Sequence, residues 1–291
     1  MKADADWPEL FFRNSFYNPA SAEAVKAAPA EADFLCRAMK LEKGTSLLDI
    51  CCGPGRHAIE FARRGIDVTG YDFSAEYLDE ARIKAEKNNL NIVFERGDMR
   101  SIPYICRFDA AVSLFNSFGY FQDYKDDIKT LKGIFRALRP GGIFALDIVN
   151  GRYVRDYTGP YERTDLGSCW RIARTELDKD GMTCAWTFID KKTGKSRSAV
   201  FFNRLYDQQR ISDALKTAGF SVLKFYGDFS GGRLNGKKDR IIVISRKNTG
   251  DKKEYSTAAA TTVKTKIRKY AKPRTINNIT AGSKAGKRKK A

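Results

Sequence analysis

The chain reads as an α/β protein: a mostly parallel sheet with helices on both faces, and an antiparallel β insert late in the sequence. Three observations predict this. Residues 46–65, SLLDICCGPGRHAIEFARRG, run as a short apolar strand, a glycine turn and an amphipathic helix. Strand-like and helix-like patterns then alternate as far as Val149, as they do when crossover helices join parallel strands. After a β-rich break, one helix and two strands with a short linker close the pattern.

In the first unit Leu47, Leu48 and Ile50 make the strand, and Ala58, Phe61 and Ala62 share one face of the helix, with Gly65 where a C-cap belongs. Gly53 and Gly55 let the backbone turn tightly and leave room for a ligand, while the helix that starts near Arg56 offers its free N–H groups. Gly53, Gly55 and Ala58 satisfy G-x-G-x-x-G/A, so a dinucleotide site is one reading and a glycine turn without a ligand is another. Asp49, at the carboxyl end of the strand, argues between ligands. An acid there repels a pyrophosphate and suits a cationic amine. S-adenosylmethionine (SAM) carries an ammonium and a sulfonium and no phosphate, so the charge favours SAM over NAD.

Asp49-Ile50-Cys51-Cys52-Gly53-Pro54-Gly55 resembles the D-x-G-C-G-x-G loop of class I SAM-dependent methyltransferases, with Cys51 in place of the usual first glycine. If Cys51 needs a positive φ, the loop is strained. The resemblance implies a Rossmann-like, seven-stranded, mostly parallel sheet closed by an antiparallel hairpin, and covers Thr45 to Lys247. It implies cofactor contacts from Asp49, Cys51, Gly53, Gly55 and Arg56 in the first loop. Residues 66–72, IDVTGYD, end in Asp72, placed to accept hydrogen bonds from ribose hydroxyls, with Phe73 beside it. Ser74 then caps a helix with Leu78, Ala81 and Ala85 inward. The strand at 91–94 leads to Asp98 and Met99, which the resemblance assigns to the adenine amino group and ring; Met99 is equally a core filler.

Residues 108–116, FDAAVSLFN, form an apolar central strand. Phe115 and Asn116 at its end fall on the cofactor side, and Phe118 and Tyr120 on the substrate side, unless they only pack. Asn116-Ser117-Phe118-Gly119 stands where methyltransferases acting on DNA bases carry [DN]-P-P-[FY], and LFNSFGYF resembles bacterial small-molecule enzymes, including those that methylate amino-sugar nitrogens. A helix at 123–138 stops at Arg139-Pro140-Gly141-Gly142, and a fifth strand covers 143–149. LRPGGIFALDIVN matches the L-x-P-G-G-x-x-x-x-D segment of the superfamily, a structural feature.

The insert, about 151–206, shows strands at 169–177, 182–189 and 198–205, the first two joined across Asp178-Lys179-Asp180-Gly181. Inserts of this kind cover a substrate pocket or form a dimer surface; Trp170, Trp186 and Arg171 are candidates to line the pocket. Before the sheet, a helix spans 21–40 with an interruption near Pro29, and an aromatic arm at 7–17 offers Phe16 and Tyr17 as a cover for the SAM site. A methyl acceptor that is an amine needs a neutral form. His57, Tyr120 and Tyr206 are weak candidates for the group that handles its proton; His57 sits at a helix N-terminus, where the dipole lowers its pKa.

No apolar run reaches the roughly 18 residues of a membrane span, and MKADADWPEL lacks the basic and apolar regions of a signal peptide, which predicts a cytoplasmic protein. The six cysteines show no metal spacing and read as reduced thiols. Net charge is +18; residues 248–291 hold 13 Lys/Arg against 2 Asp/Glu, leaving 40 basic and 33 acidic residues before them. That tail reads as disordered, outside a catalytic domain at 1–247. The expectation is therefore a SAM-dependent methyltransferase acting on a nitrogen or oxygen of a small molecule, with a homodimer left open. Two other readings remain: an RNA or DNA methyltransferase using the tail, disfavoured by the missing N-P-P-Y, and a SAM-binding protein without catalysis.

Overall fold

The computed structural model describes Met1, Phe12 and residues 19–248. The expected aromatic arm with Phe16 and Tyr17, and the tail beyond Asn248, lie outside the described residues.

The elements follow in chain order: α1 (Ala22–Met39), β1 (Ser46–Ile50), α2 (Arg56–Arg63), β2 (Asp67–Asp72), α3 (Ala75–Lys87), β3 (Val93–Arg96), a 3-10 turn (Met99–Ser101), β4 (Phe108–Ser113), α4 (Tyr124–Ala137), β5 (Leu138–Val149) and α5 (Gly151–Tyr157). The remainder is β6 (Tyr161–Asp165), β7 (Cys169–Leu177), β8 (Gly181–Asp190), β9 (Ser196–Arg204), α6 (Gln208–Thr217), β10 (Phe220–Tyr226) and β11 (Arg240–Lys247). Seven strands form one sheet in the order β10-β11-β5-β4-β1-β2-β3. Within it β11 is antiparallel to both β10 and β5, and the neighbours from β5 through β3 are parallel. The expected seven strands and closing hairpin are all present.

Alternate strand residues feed two cores, as the period of a strand buried on both faces requires. Leu48, Ile50, Ala111, Phe144 and Leu146 meet Leu131, Ile134 and Phe135 of α4 and Ile211 and Leu215 of α6. Leu47, Val68, Ala110, Val112 and Ala145 meet Leu35 of α1, Phe61 of α2 and Leu78 and Ala81 of α3. Ser74 caps α3 as expected, its Oγ accepting from Tyr77 N at 3.3 Å.

Several expectations need correction. Pro29 does not interrupt α1, which runs unbroken through it. Ala28, Ala32, Leu35 and Met39 of α1 are buried, and that packing outweighs one lost backbone bond. β4 stops at Ser113 instead of Asn116, because Phe115 and Asn116 both take left-handed backbone angles. β3 lies two residues later than expected and β5 begins at Leu138, with a register shift against β4 that accommodates the Pro-Gly-Gly segment. α5, capped by Asn150, was not anticipated.

The insert is a separate sheet in the order β6-β7-β8-β9, antiparallel throughout. Three of its strands were expected; β6, YERTD, is polar and mostly exposed and carries no alternation to betray it. No helix among the described residues is long and apolar enough to cross a membrane.

Candidate active site

Because β1, β2 and β4 are parallel neighbours, their carboxyl ends fall on one edge of the sheet. The loop after β1 takes left-handed angles at Cys51 (φ 58°), Gly53 (φ 52°) and Gly55 (φ 78°). Cys51 is thus held where an L side chain costs about 1–2 kcal/mol. Its N–H donates to Tyr71 O of β2 at 2.7 Å, which fixes the turn. A Cβ on Gly53 would meet nothing nearer than Pro19 at 3.9 Å, so the backbone there is bare.

Asp49 is 2 % exposed, and its Oδ2 has no hydrogen-bond partner among the described residues. Burial, reinforced by the charge of Asp72, pushes its pKa up to about 8. Arg56 opposes the shift in part, and a cation held beside Asp49 would favour its carboxylate form further. Asp72 is also buried, and burial raises its pKa. Its Oδ2 accepts from Gly53 N at 2.8 Å and its Oδ1 from Ser74 N at 2.9 Å. Asp72 therefore shapes the glycine loop, a role that spacing alone does not suggest.

Asp98 caps the 3-10 turn, and Arg100 embraces its carboxylate through Nε and Nη2, at 2.9 and 2.6 Å from Oδ2. Burial works to raise the Asp98 pKa, but the Arg100 bonds outweigh it and hold the group below the usual carboxylate range. Met99 is half-buried, its Sδ 3.6 Å from Cys51 Sγ, so the two loops touch. Phe73 packs edge-on against Phe12, ring centroids 5.7 Å apart.

Phe115 (φ 59°) and Asn116 (φ 58°) are strained in succession. Asp147, the acid of the L-x-P-G-G-x-x-x-x-D segment, holds both: its Oδ2 accepts from Phe115 N at 2.7 Å and its backbone O from Asn116 N at 3.1 Å. Arg240 pairs with Asp147 and lies 5.9 Å from the Phe115 ring, with Arg56 over the same ring at 4.5 Å. Arg56 also donates to Ala24 O and to Glu31 Oε2, so much of its bonding capacity is used on α1.

His57 is 6 % exposed, and its Nε2 is 2.7 Å from the same Glu31 oxygen. Its pKa is lowered as expected, but burial is the main cause and Arg56 adds to it, against the raising effect of Glu31. The helix dipole is not needed to explain the shift. Tyr206 is 2 % exposed and donates to Asp127 Oδ2 at 2.7 Å; burial first, then Asp127, drives its pKa far up. It is a core residue and not a proton acceptor. Phe118, also 2 % exposed, packs on Tyr206 with centroids 5.4 Å apart, which fits packing and not contact with an acceptor. Tyr120 is half-buried and lies against the insert, 6.3 Å from the Phe201 ring.

The insert presents one face to this region. Cys184, Phe188, Ala199 and Phe201 form its buried cluster, with Phe12, Tyr120 and Trp186 packed on it. Arg171 belongs to that face, its guanidinium 4.8 Å from the Trp186 ring and bonded to Glu162 and Thr164. Trp170 does not. Successive strand residues point to opposite faces, and Trp170 is flanked by Arg163 and Lys191 on the other side. Trp170 and Arg171 cannot line one pocket; Trp186 and Arg171 do share a wall.

A family described as methyltransferase domain matches residues 47–142. The glycine/sarcosine N-methyltransferase of Aphanothece halophytica is 30% identical over 225 residues, 75% of this chain and 82% of that protein. The chain belongs to the class I SAM-dependent methyltransferases. The cypemycin N-terminal methyltransferase of a Streptomyces species is 33% identical over 69% of this chain and 82% of its own length. In fold, this methyltransferase resembles a SAM-dependent enzyme from Clostridium acetobutylicum (TM-score 0.69, 18% identity, covering 84% of this chain and 98% of that one). It also resembles SAM-bound CalS10, an amino pentose methyltransferase from Micromonospora echinaspora (TM-score 0.58, 20% identity, 85% and 99%). The cofactor of this family is SAM, the ligand that the charge at Asp49 favours.

Proposed function

We propose that this methyltransferase acts on a nitrogen of a small molecule, an amine being the acceptor class that fits best, with oxygen as the alternative nucleophile. SAM supplies an activated methyl group when bound. The observation that carries the cofactor assignment is the buried Asp49 Oδ2, without a hydrogen-bond partner among the described residues, near the open backbone at Gly53. Asp49 is assigned to the cofactor ammonium and the Gly53 backbone to close approach, while Gly55, where a Cβ would lie 2.9 Å from Ala81 Cβ, lets α2 pack against α3. Asp72 keeps lone pairs for ribose hydroxyls after serving two amides. Asp98, Met99 and Phe73 are assigned to the adenosine end, and Cys51, Phe115 and Asn116 to the walls. Catalysis then rests on holding donor and acceptor in line, worth several kcal/mol.

The amine reading is supported by relatives matched over about four-fifths of their length. These are glycine/sarcosine N-methyltransferases, the cypemycin N-terminal methyltransferase and a Streptomyces venezuelae enzyme named dTDP-3-amino-3,4,6-trideoxy-alpha-D-glucopyranose N,N-dimethyltransferase. Tyr120, Trp186 and Arg171, which share the face of the insert cluster, are the substrate-side candidates carried forward, and Tyr17 stays an expectation outside the described residues. The test is methyl transfer from labelled SAM to a panel of glycine, sarcosine, an amino sugar, a peptide with a free N-terminus, a phenol and an RNA oligonucleotide. Transfer to one or more amines is expected; transfer only to RNA would replace this reading with the nucleic-acid one.

A further inference from the structure

The end of β9 is laced to the loop that follows β4. Asn203 and Arg204 are 0 % and 5 % exposed. Between them they bond four carbonyls of that loop. Asn203 Nδ2 donates to Phe118 O at 3.1 Å and Arg204 N to Gly119 O at 2.6 Å; Arg204 Nη2 donates to Phe121 O at 3.2 Å and Gln122 O at 2.7 Å. Asn203 Oδ1 also accepts from Asn116 Nδ2 at 3.4 Å. The approach is close: a Cβ on Gly119, which has φ 91°, would lie 3.0 Å from Arg204 O. Asp127, fully buried in α4, receives Arg204 Nε at 3.0 Å and the Tyr206 hydroxyl at 2.7 Å. Tyr206 O in turn accepts from Gly151 N at the start of α5 at 2.8 Å.

This lacing answers a problem in the loop itself. Phe115 and Asn116 sit at successive left-handed angles, which side-chain-bearing residues hold only when their surroundings over-determine them. Asp147 holds the near end of the loop, where Asn116 Oδ1 also accepts from Val149 N at 3.1 Å and Ser117 Oγ donates to Leu114 O at 2.8 Å; the far end needs a second anchor. Asn203 and Arg204 supply that second anchor, and they are contributed by the insert.

We propose that Asn203 and Arg204 are positioning residues: they hold loop 116–122 in the shape that receives the methyl acceptor, so that the insert and the acceptor platform form one unit. The proposal rests on the reading of that loop as acceptor-facing. Arg204 is suited to the task because its planar fork reaches the Asp127 carboxylate and two loop carbonyls together. Lysine keeps the charge opposite Asp127 and loses the fork.

The test uses the full chain and the variants Arg204→Lys and Asn203→Ser. Three readouts are taken: amide exchange of peptides covering 117–123 and 46–56, calorimetric affinity for S-adenosylhomocysteine, and KM and kcat for the best amine of the panel. Exchange in 117–123 is expected to quicken at least tenfold in both variants and KM to rise at least tenfold, with exchange in 46–56 and S-adenosylhomocysteine affinity within twofold of the parent. Loop exchange within twofold of the parent would overturn the proposal. So would equal loosening of both peptides together with lost S-adenosylhomocysteine affinity, which marks a general structural role. If the parent methylates no amine yet the loop alone loosens in both variants, the anchoring stands and the amine reading is what fails.

Discussion

Asp49 shows how far one residue can be read. Its position at a strand end before a glycine turn suggests a cationic ligand, and the structure adds that one carboxyl oxygen is buried with no hydrogen-bond partner among the described residues and that burial pushes its pKa up to about 8. At pH 7 the free protein therefore holds Asp49 mainly as the acid, whereas a cofactor ammonium favours the carboxylate. Binding of S-adenosylhomocysteine at pH 7 is expected to release up to one proton, measurable as a dependence of calorimetric enthalpy on buffer ionisation enthalpy. Asp49→Asn is expected to abolish that release, and equal release from both proteins would assign the proton elsewhere. Asp72 makes a second case. Asp72→Ala removes charge-assisted bonds worth about 1.5–3 kcal/mol each, so affinity for S-adenosylhomocysteine is expected to fall roughly ten- to a thousandfold, since each 1.4 kcal/mol is tenfold. Because Asp72 also holds Gly53 N, amide exchange at Gly53 is expected to quicken in the same variant; an unchanged dissociation constant would remove Asp72 from the cofactor site.

At the scale of elements, the insert is the part with most left to test. Its inner face brings Arg171 and Trp186 together beside Tyr120, while its last residues reach into the loop after β4. A variant lacking residues 165–198 and carrying a short linker keeps Asn203 and Arg204. It is expected to bind S-adenosylhomocysteine as the parent does and to lose transfer to the native acceptor; retained turnover would reduce the insert to a structural or dimer role. What could be read of these elements from sequence follows a physical division. The strands of the main sheet were legible because burial on both faces forces continuous apolar runs such as FDAAVS and RIIVIS. The glycine loop was legible because its strained angles restrict residue choice; for Cys51 the sequence posed a positive φ only as a condition for strain, and the structure meets it at φ 58°. β6 and α5 were not, since one is polar and exposed and the other is short. Nor was the Asp127–Arg204–Tyr206 group, whose members are 77 and 79 residues apart along the chain and meet only through the fold. The pairing of Trp170 with Arg171 failed for a simpler reason: neighbours on a strand face opposite ways.

The whole molecule joins two properties that sequence and structure each half-describe, its pH response and its basic tail. Burial raises the pKa of Asp49 to about 8, of Asp127 to about 6, and of Asp72 above its ordinary value. An acid whose native pKa exceeds its unfolded value binds protons more tightly when folded, so its favourable contribution is fully present below about pH 4 and is lost as pH rises through the native pKa. His57, lowered by burial, works in the opposite sense around its ordinary pKa of 6.5 and offsets part of this. The ligand-free protein is therefore expected to melt higher at pH 5.5 than at pH 8, with the gain from S-adenosylhomocysteine larger at pH 8. A melting temperature that is flat or rises across that range would contradict the buried-acid account. The second property concerns residues 248–291, with 13 Lys/Arg and 2 Asp/Glu. The proposed catalytic unit closes on β11, and Lys247 is integral to it: fully buried, its Nζ donates to Phe135 O at 2.9 Å and Leu138 O at 2.8 Å at the end of α4. Asn248 Oδ1 accepts from Ser221 Oγ at 2.6 Å. A shortened chain must therefore keep both. A basic run of this kind binds phosphate polymers through counterion release, without sequence preference and with an affinity that falls steeply with salt. A chain ending at Asn248 is expected to match the full chain in S-adenosylhomocysteine affinity and in turnover of its amine, while any RNA gel shift of the full chain at low salt disappears on truncation and weakens at high salt. Turnover lost on truncation with cofactor affinity intact would mean that the tail delivers or holds the acceptor, and would raise an RNA or DNA substrate above the small amine.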